Sequence, residues 1–257
     1  MGLFKKKSSR KQDELPARAP SGPPNTRAYA IGDVHGRLDL LEQMFDLIAA
    51  DRRERPCDRV FLVLLGDLID RGPDSAGVID FVLRARTLLP NMILLMGNHE
   101  EMLLRVLDED TAQFRDWLRF GGYECAQSYG VEVGRLALLD ASDAAALVRS
   151  EIPDAHIAFL ESFVDSFQFG DYLFVHAGIR PGVAVEDQNI RDLRWIREEF
   201  LDSNVDHQFV IVHGHTISGE PDERPNRIGI DTGAYVSGIL TALCLEGAER
   251  RYLRAVA

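Results

Sequence analysis

Short apolar runs and amphipathic stretches alternate along most of this chain. Residues 28–31 are apolar, and Leu38, Leu41, Phe45 and Ile48 follow at helical spacing within residues 38–50. Residues 60–65 form a continuous buried-type strand, Pro73 opens a helix through Val78, Ile79 and Val82, and residues 92–96 are a third apolar run. Helical spacing resumes over residues 100–107. Residues 108–167 are mostly helical by pattern, with breaks at Gly121-Gly122 and Pro153, and predict a helical insert. Strand-like runs return at 172–175, 209–212, 227–230, 239–245 and 251–254. The pattern alone gives an α/β protein with a strand-rich C-terminal half and no internal repeat.

Residues 1–26 break this rhythm. They hold Lys5-Lys6-Lys7, Ser8, Ser9, four prolines and almost no apolar periodicity, so they predict a disordered tail, with residues 27–257 as one catalytic domain. Gly2 is not followed by the Ser or Thr that an N-myristoylation signal needs, because position 6 is Lys6. No apolar stretch approaches the roughly 18 to 20 residues that cross a bilayer, and the N-terminus lacks an apolar signal region, which predicts a cytoplasmic protein without stable membrane insertion. Cys57, Cys125 and Cys244 are too few and too scattered for a disulfide framework.

Charge narrows the partners. The formal total is −12, with +5 of it in residues 1–27, so the remainder stands at −17. An acidic body argues against a nucleic-acid ligand, whose phosphates are gripped by Lys and Arg clusters, and fits a host for divalent cations.

The apolar runs end in polar clusters: Gly32-Asp33-Val34-His35-Gly36, Gly66-Asp67-Leu68-Ile69-Asp70-Arg71-Gly72, Gly97-Asn98-His99-Glu100, His176-Ala177-Gly178 and His213-Gly214-His215-Thr216. Strands of an open α/β sheet present ligands at their carboxyl ends, so these clusters are expected along one edge. Together they supply carboxylates from Asp33 and Asp67, imidazoles from His35, His176 and His215, and the carboxamide of Asn98. That mixed oxygen and nitrogen set suits Mn²⁺, Fe or Zn²⁺. Each residue alone reads as a turn or a core histidine; three motifs in order, each behind a predicted strand, do not.

The series G-D-V-H-G, G-D-L-I-D-R-G, G-N-H-E, H-A-G and G-H-T resembles the calcineurin-like metallophosphoesterase superfamily, and within it the bacterial and bacteriophage-lambda-type phosphoprotein phosphatases. The likeness runs from about Arg27 onward and takes in Gly121-Gly122, residues 193–198 and residues 230–234. It implies a four-layer αββα sandwich carrying the 108–167 insert. It implies that Asp33 and His35 hold one metal, Asp67 bridges two, and Asn98, His176 and His215 hold the second. Mn²⁺ is the first choice among the ions, with Fe and Zn²⁺ compatible. Arg71 and Arg197 would bind the phosphate, and His99, paired with Asp70, would be the general acid for in-line attack by an activated water. Glu100 is expected to face outward at the following helix start, and His213 to be merely buried. Ile217 stands where other branches place a further histidine.

The function so implied is phosphomonoester hydrolysis, as a serine/threonine phosphatase acting on phosphoserine or phosphothreonine proteins, with phosphotyrosine also compatible. Two alternatives stand beside it. Symmetrical diadenosine tetraphosphate hydrolases share most of these motifs but typically lack an acid at the position of Asp70. A catalytically dead module that binds phosphorylated partners would be expected to have lost a ligand or the acid, and this chain keeps both.

Overall fold

The computed structural model describes residues 19–108 and 111–257. The chain opens with β1 (Thr26–Ile31), α1 (Leu38–Glu54), β2 (Arg59–Leu64), α2 (Ser75–Leu88), β3 (Met92–Leu94) and α3 (Asn98–Leu107). A helical stretch follows as α4 (Phe114–Trp117), α5 (Tyr123–Ser128), α6 (Val133–Leu136), α7 (Ala141–Glu151) and α8 (Asp154–Glu161). Then come β4 (Ser166–Phe169), β5 (Tyr172–Val175), α9 (Ile190–Trp195), α10 (Glu198–Leu201), β6 (Val210–His213), β7 (Asp222–Glu223), β8 (Arg227–Gly229), α11 (Ala234–Ser237), β9 (Ile239–Glu246) and β10 (Glu249–Val256).

The strands form two five-stranded sheets, ordered β10-β9-β1-β2-β3 and β4-β5-β6-β8-β7. Three strands of each run parallel, β1-β2-β3 and β5-β6-β8; antiparallel β9 and β10 extend one side of the first sheet, and antiparallel β4 and β7 close both edges of the second. Alternation along each strand sends successive side chains to opposite faces. Ala28, Ala30, Val63 and Leu65 of the first sheet therefore meet Tyr172, Phe174, Val212 and Ile230 of the second in a buried inter-sheet layer. Tyr29, Ile31, Leu62 and Leu64 point the other way, against α1 and α2. On the outer face of the second sheet, Leu173, Val175 and Ile211 pack with Leu193 and Phe200 of α9 and α10. Helix, sheet, sheet, helix is the αββα sandwich that the motifs implied.

The structure moves several boundaries. Residues 19–25 belong to the fold rather than to a tail ending at 26, because Gly22 donates to the Gly247 carbonyl at 2.8 Å and Ser21 to Asp171 Oδ2 at 2.8 Å; residues 1–18 lie outside the described residues. Pro73 stands before α2, whose cap is Asp74, accepting from the Gly77 N–H at 2.8 Å. The end of the stretch read as helical, 166–167, is strand: β4 turns tightly through Gly170 onto β5. The insert also shares the main core, with Trp117, Phe114, Cys125 and Val148 in one apolar cluster with α1 and α2. Among the described residues, no helix is long and apolar enough to cross a membrane, and all three cysteines are free thiols.

Candidate metal centre

Parallel pairing puts the carboxyl ends of β1, β2, β3, β5 and β6 on one edge, and the chain reverses there through unusual backbone. His35, Asp67, Asp70, Arg71 and His215 all have positive φ, between 45° and 69°, a region that side-chain-bearing residues avoid. Only Asn25 and Gln208 share it among the other non-glycine described residues, so the strain is concentrated where the polar clusters meet. Two glycines are required there by contact: a Cβ on Gly97 would lie 2.2 Å from Asp67 Oδ1, and one on Gly214 2.0 Å from Asp33 Oδ1.

The structure gathers Asp33, His35, Asp67, Asn98, His176 and His215, none more than 7% exposed. Asp67 is the centre. Its Oδ2 lies 3.6 Å from His35 Nε2 and its Oδ1 3.4 Å from His176 Nε2. Two donor groups share it, His35-Asp67-His99 and Asp67-His176-His215, the donor atoms of each lying within 4.8 Å of one another. Tautomers follow from the partners, since a carbonyl only accepts. His35 Nδ1 donates to the Ile69 carbonyl at 2.8 Å and His176 Nδ1 to the Leu65 carbonyl at 2.7 Å, which turns both Nε2 lone pairs inward. Asn98 Oδ1 stands 3.0 Å from His176 Nε2, and both Asp33 oxygens face the His215 N–H, the nearer at 3.0 Å.

These residues fit divalent cations. His215 Nε2 is buried and has no hydrogen-bond partner, an orphan lone pair that a metal would satisfy. Burial drives His35 down to about 3 and His215 to about 2, so both imidazoles are neutral donors. Burial works to raise the Asp67 carboxyl, yet His176, His99, His35 and His215 hold it below the usual carboxylate range. Asp33 is pushed well above that range by burial and by the charges of Asp231 and Asp67, a repulsion that bound cations relieve.

Beside the donors stands a proton-holding group. His99 Nδ1 meets Asp70 Oδ2 at 2.7 Å, and the Trp117 indole N–H reaches both Asp70 oxygens at 3.2 Å. The Asp70 N–H donates to Ser75 Oγ at 2.9 Å. Burial lowers the proton affinity of His99, but the Asp67 charge and the Asp70 contact prevail and raise it above its ordinary value. Arg71 lies across this group, its guanidinium 3.1 Å from His35 Nε2, 2.9 Å from His99 Nε2, and 4.9 Å from the Tyr235 ring centre. Its own N–H donates to the Gly121 carbonyl at 3.0 Å, inside the π-type turn Leu118–Gly122. Arg197 is exposed and donates to Thr216 Oγ1 at 3.1 Å.

Glu100 corrects the sequence reading. It is fully buried, and its carboxylate accepts N–H groups of Asp67 (2.9 Å), Leu68 (2.7 Å), Ile69 (3.4 Å) and Gly97 (3.0 Å), pinning the two ligand loops together. Burial and the Asp67 charge push it up to about 7 against the pull of those amides. Asp231 lies close behind the donors: buried, it accepts the Gly233 N–H at 2.8 Å while its charge acts on Asp33. His213 stays outside the group, edge-on to Phe200 at 5.1 Å. Trp117 and Tyr235 were missed because an aromatic in an amphipathic stretch reads as core; the clue was Trp117 four residues before Gly121.

Residues 26–237 match the profile of the family described as calcineurin-like phosphoesterase. The chain is similar to the symmetrical bis(5'-nucleosyl)-tetraphosphatase of Nitrosospira multiformis, at 30% identity over 181 residues, 70% of this chain and 53% of the relative. The corresponding protein of Dechloromonas aromatica is 32% identical over 60% of this chain and 44% of its own. The chain thus spans about half the length of the curated relatives it matches. A solved structure provisionally named a diadenosine tetraphosphatase superposes with a TM-score of 0.61 at 21% identity, over 93% of this chain and 99% of that one. A Saccharomyces cerevisiae protein serine/threonine phosphatase superposes at 0.54 with 14% identity, over 91% and 81%.

Proposed function

The chain belongs to the calcineurin-like phosphoesterase family and is a metallophosphoesterase, and on that premise we propose that it hydrolyses dinucleoside polyphosphates of the diadenosine tetraphosphate class. The observation that carries this reading is its similarity over 181 residues to a symmetrical bis(5'-nucleosyl)-tetraphosphatase. Local chemistry supports it. Arg71 and Arg197 border the donor groups and suit a polyanionic chain, and Phe120, whose carbonyl accepts from Arg71 and whose side chain is half-exposed, suits stacking on a base.

In this reading Asp33, His35, Asp67, Asn98, His176 and His215 hold two divalent ions, Mn²⁺ first among them. When bound, such a pair supplies Lewis acidity and lowers the pKa of a shared water. Arg71 exchanges its imidazole contacts for phosphate oxygens, fixing the reacting phosphorus in line with the attacking water. Released from Arg71, His99 carries its proton on Nε2, with Asp70 orienting the ring, and delivers it to the departing oxygen. The three free thiols suit a reducing cytoplasm, and nothing in the acidic body favours nucleic acid.

One observation favours a second reading, phosphoprotein phosphatase. The Asp70–His99 pair is built to protonate a leaving group, which a serine alkoxide needs far more than a nucleoside diphosphate does. Initial rates on diadenosine tetraphosphate and a phosphoserine peptide, measured side by side with added Mn²⁺, decide between them. We expect kcat/KM at least about tenfold higher for the nucleotide, with ADP as product. The reverse preference makes the protein a phosphatase, and bound metal with turnover of neither leaves a binding module.

A further inference from the structure

The strand ends opposite the metal centre carry a second concave feature. There α1 and α2 diverge over β2 around a cavity of about 570 Å³, within the size range of sites that enclose a small organic ligand. Its walls are apolar: Phe45 and Ile48 from α1, Phe81, Leu88 and Leu89 from the end of α2, and Leu62 from β2. Leu88 is 80% exposed, and Phe45 and Phe81 meet edge to face at 4.8 Å, so the lining is a continuous apolar surface only partly withdrawn from water.

The mouth has the opposite character. Arg52 and Arg84 border it with Asp58, while the Arg59 guanidinium packs 5.2 Å from the centre of the Phe61 ring. Among the described residues neither Arg52 nor Arg84 forms an ion pair, although most other surface arginines of this chain do. Arg53 continues the basic rim along an adjoining groove. On a protein with a formal charge of −12, unpaired guanidiniums around an apolar hollow select a ligand with a hydrocarbon body and an anionic head.

We infer that this cavity is a binding site for a long-chain fatty carboxylate. The acyl chain lies between α1 and α2, and the carboxylate sits at the mouth between Arg52 and Arg84, which offer forked donors to its two oxygens. The chain's own Leu3 and Phe4 are the poorer occupant, because Lys5, Lys6 and Lys7 follow them with the same charge as the rim. The site is independent of the hydrolytic reading.

Cys57 on the cavity wall provides the test, since Cys125 and Cys244 are buried. The full-length, metal-loaded protein would be labelled with a thiol reagent across a titration of palmitate, of hexadecanol and of an acidic apolar peptide. Saturable protection of Cys57 by palmitate is expected, with apparent affinity at least about tenfold tighter than for hexadecanol. In an Arg52→Glu/Arg84→Glu variant of unchanged melting temperature, the ratio of protected to unprotected labelling should approach one. Equal protection by the alcohol, stronger protection by the peptide, an unaffected variant, or no protection by palmitate would each overturn the inference.

Discussion

The two sides of the Asp67 carboxylate are furnished differently. On the His35 side, Arg71 is held by a backbone bond to Gly121 and by the Tyr235 ring, and the adjacent His99 is fixed by Asp70 and Trp117. On the side of His176 and His215, Arg197 is exposed with one side-chain hydrogen bond, to Thr216. Both sides hold buried metal donors, but only the first holds its substrate-facing groups in place beforehand. Preorganised charge costs no rearrangement at the moment of reaction, so the His35 side should carry most of the rate and the Arg197 side chiefly binding.

Substitutions can break or sharpen that contrast. Asp67→Asn removes the group common to both sides, so metal content by elemental analysis should drop and activity should fall by about 10³-fold or more. His99→Asn should keep its metal and lose on the order of 10²–10⁴ in kcat, more for alkyl phosphates than for p-nitrophenyl phosphate. Equal losses on both substrates would remove His99 from proton transfer. Arg71→Ala should cost about 10²-fold, mostly in kcat, whereas Arg197→Ala should cost about tenfold, mostly in KM; steady-state kinetics separates them, and identical profiles would erase the asymmetry.

The smallest effect tests the supporting indole. Trp117→Phe keeps the ring but removes the N–H that stabilises ionised Asp70, so about a few-fold loss is expected. The sign of the pH effect follows from the Asp70 charge. That charge raises His99, whose protonated form acts below its pKa, so the alkaline limb of the kcat/KM profile should lie above the ordinary histidine range and, with one donor fewer competing for the Asp70 carboxylate, shift to higher pH in the variant. A profile that stays in place would reduce Trp117 to packing.

Legibility divided along a physical line. Residues announced by contiguous motifs, Asp33 through His35, Asp67 through Arg71, and Asn98 with His99, were readable because parallel strands deliver consecutive loop residues to one edge. So was the α/β class, from the alternation of apolar runs, whereas the four-layer sandwich was implied only by the resemblance of the motifs to a known family. Trp117 was not, because its partner Asp70 is 47 positions away and nothing local distinguishes an indole bonded to a carboxylate from one packed in a core. Glu100 was misjudged because a helix start offers an acid two fates: solvent near the positive helix end, or the bare amides of a neighbouring loop. Local sequence does not choose between them; the close approach of the 66–69 and 97–100 loops does.

The pairing of β1 has a consequence for how the protein is made. Its edge opposite β2 is completed by β9, and Arg27 finds Glu246 219 positions later, while Asp33 waits for the His215 amide, 182 positions on. A nascent chain that has emitted every motif up to Gly-Asn-His-Glu still exposes an open strand edge and lacks His176 and His215. That edge stays open until β9 pairs with it, and the donor set is complete only once His215 has been made.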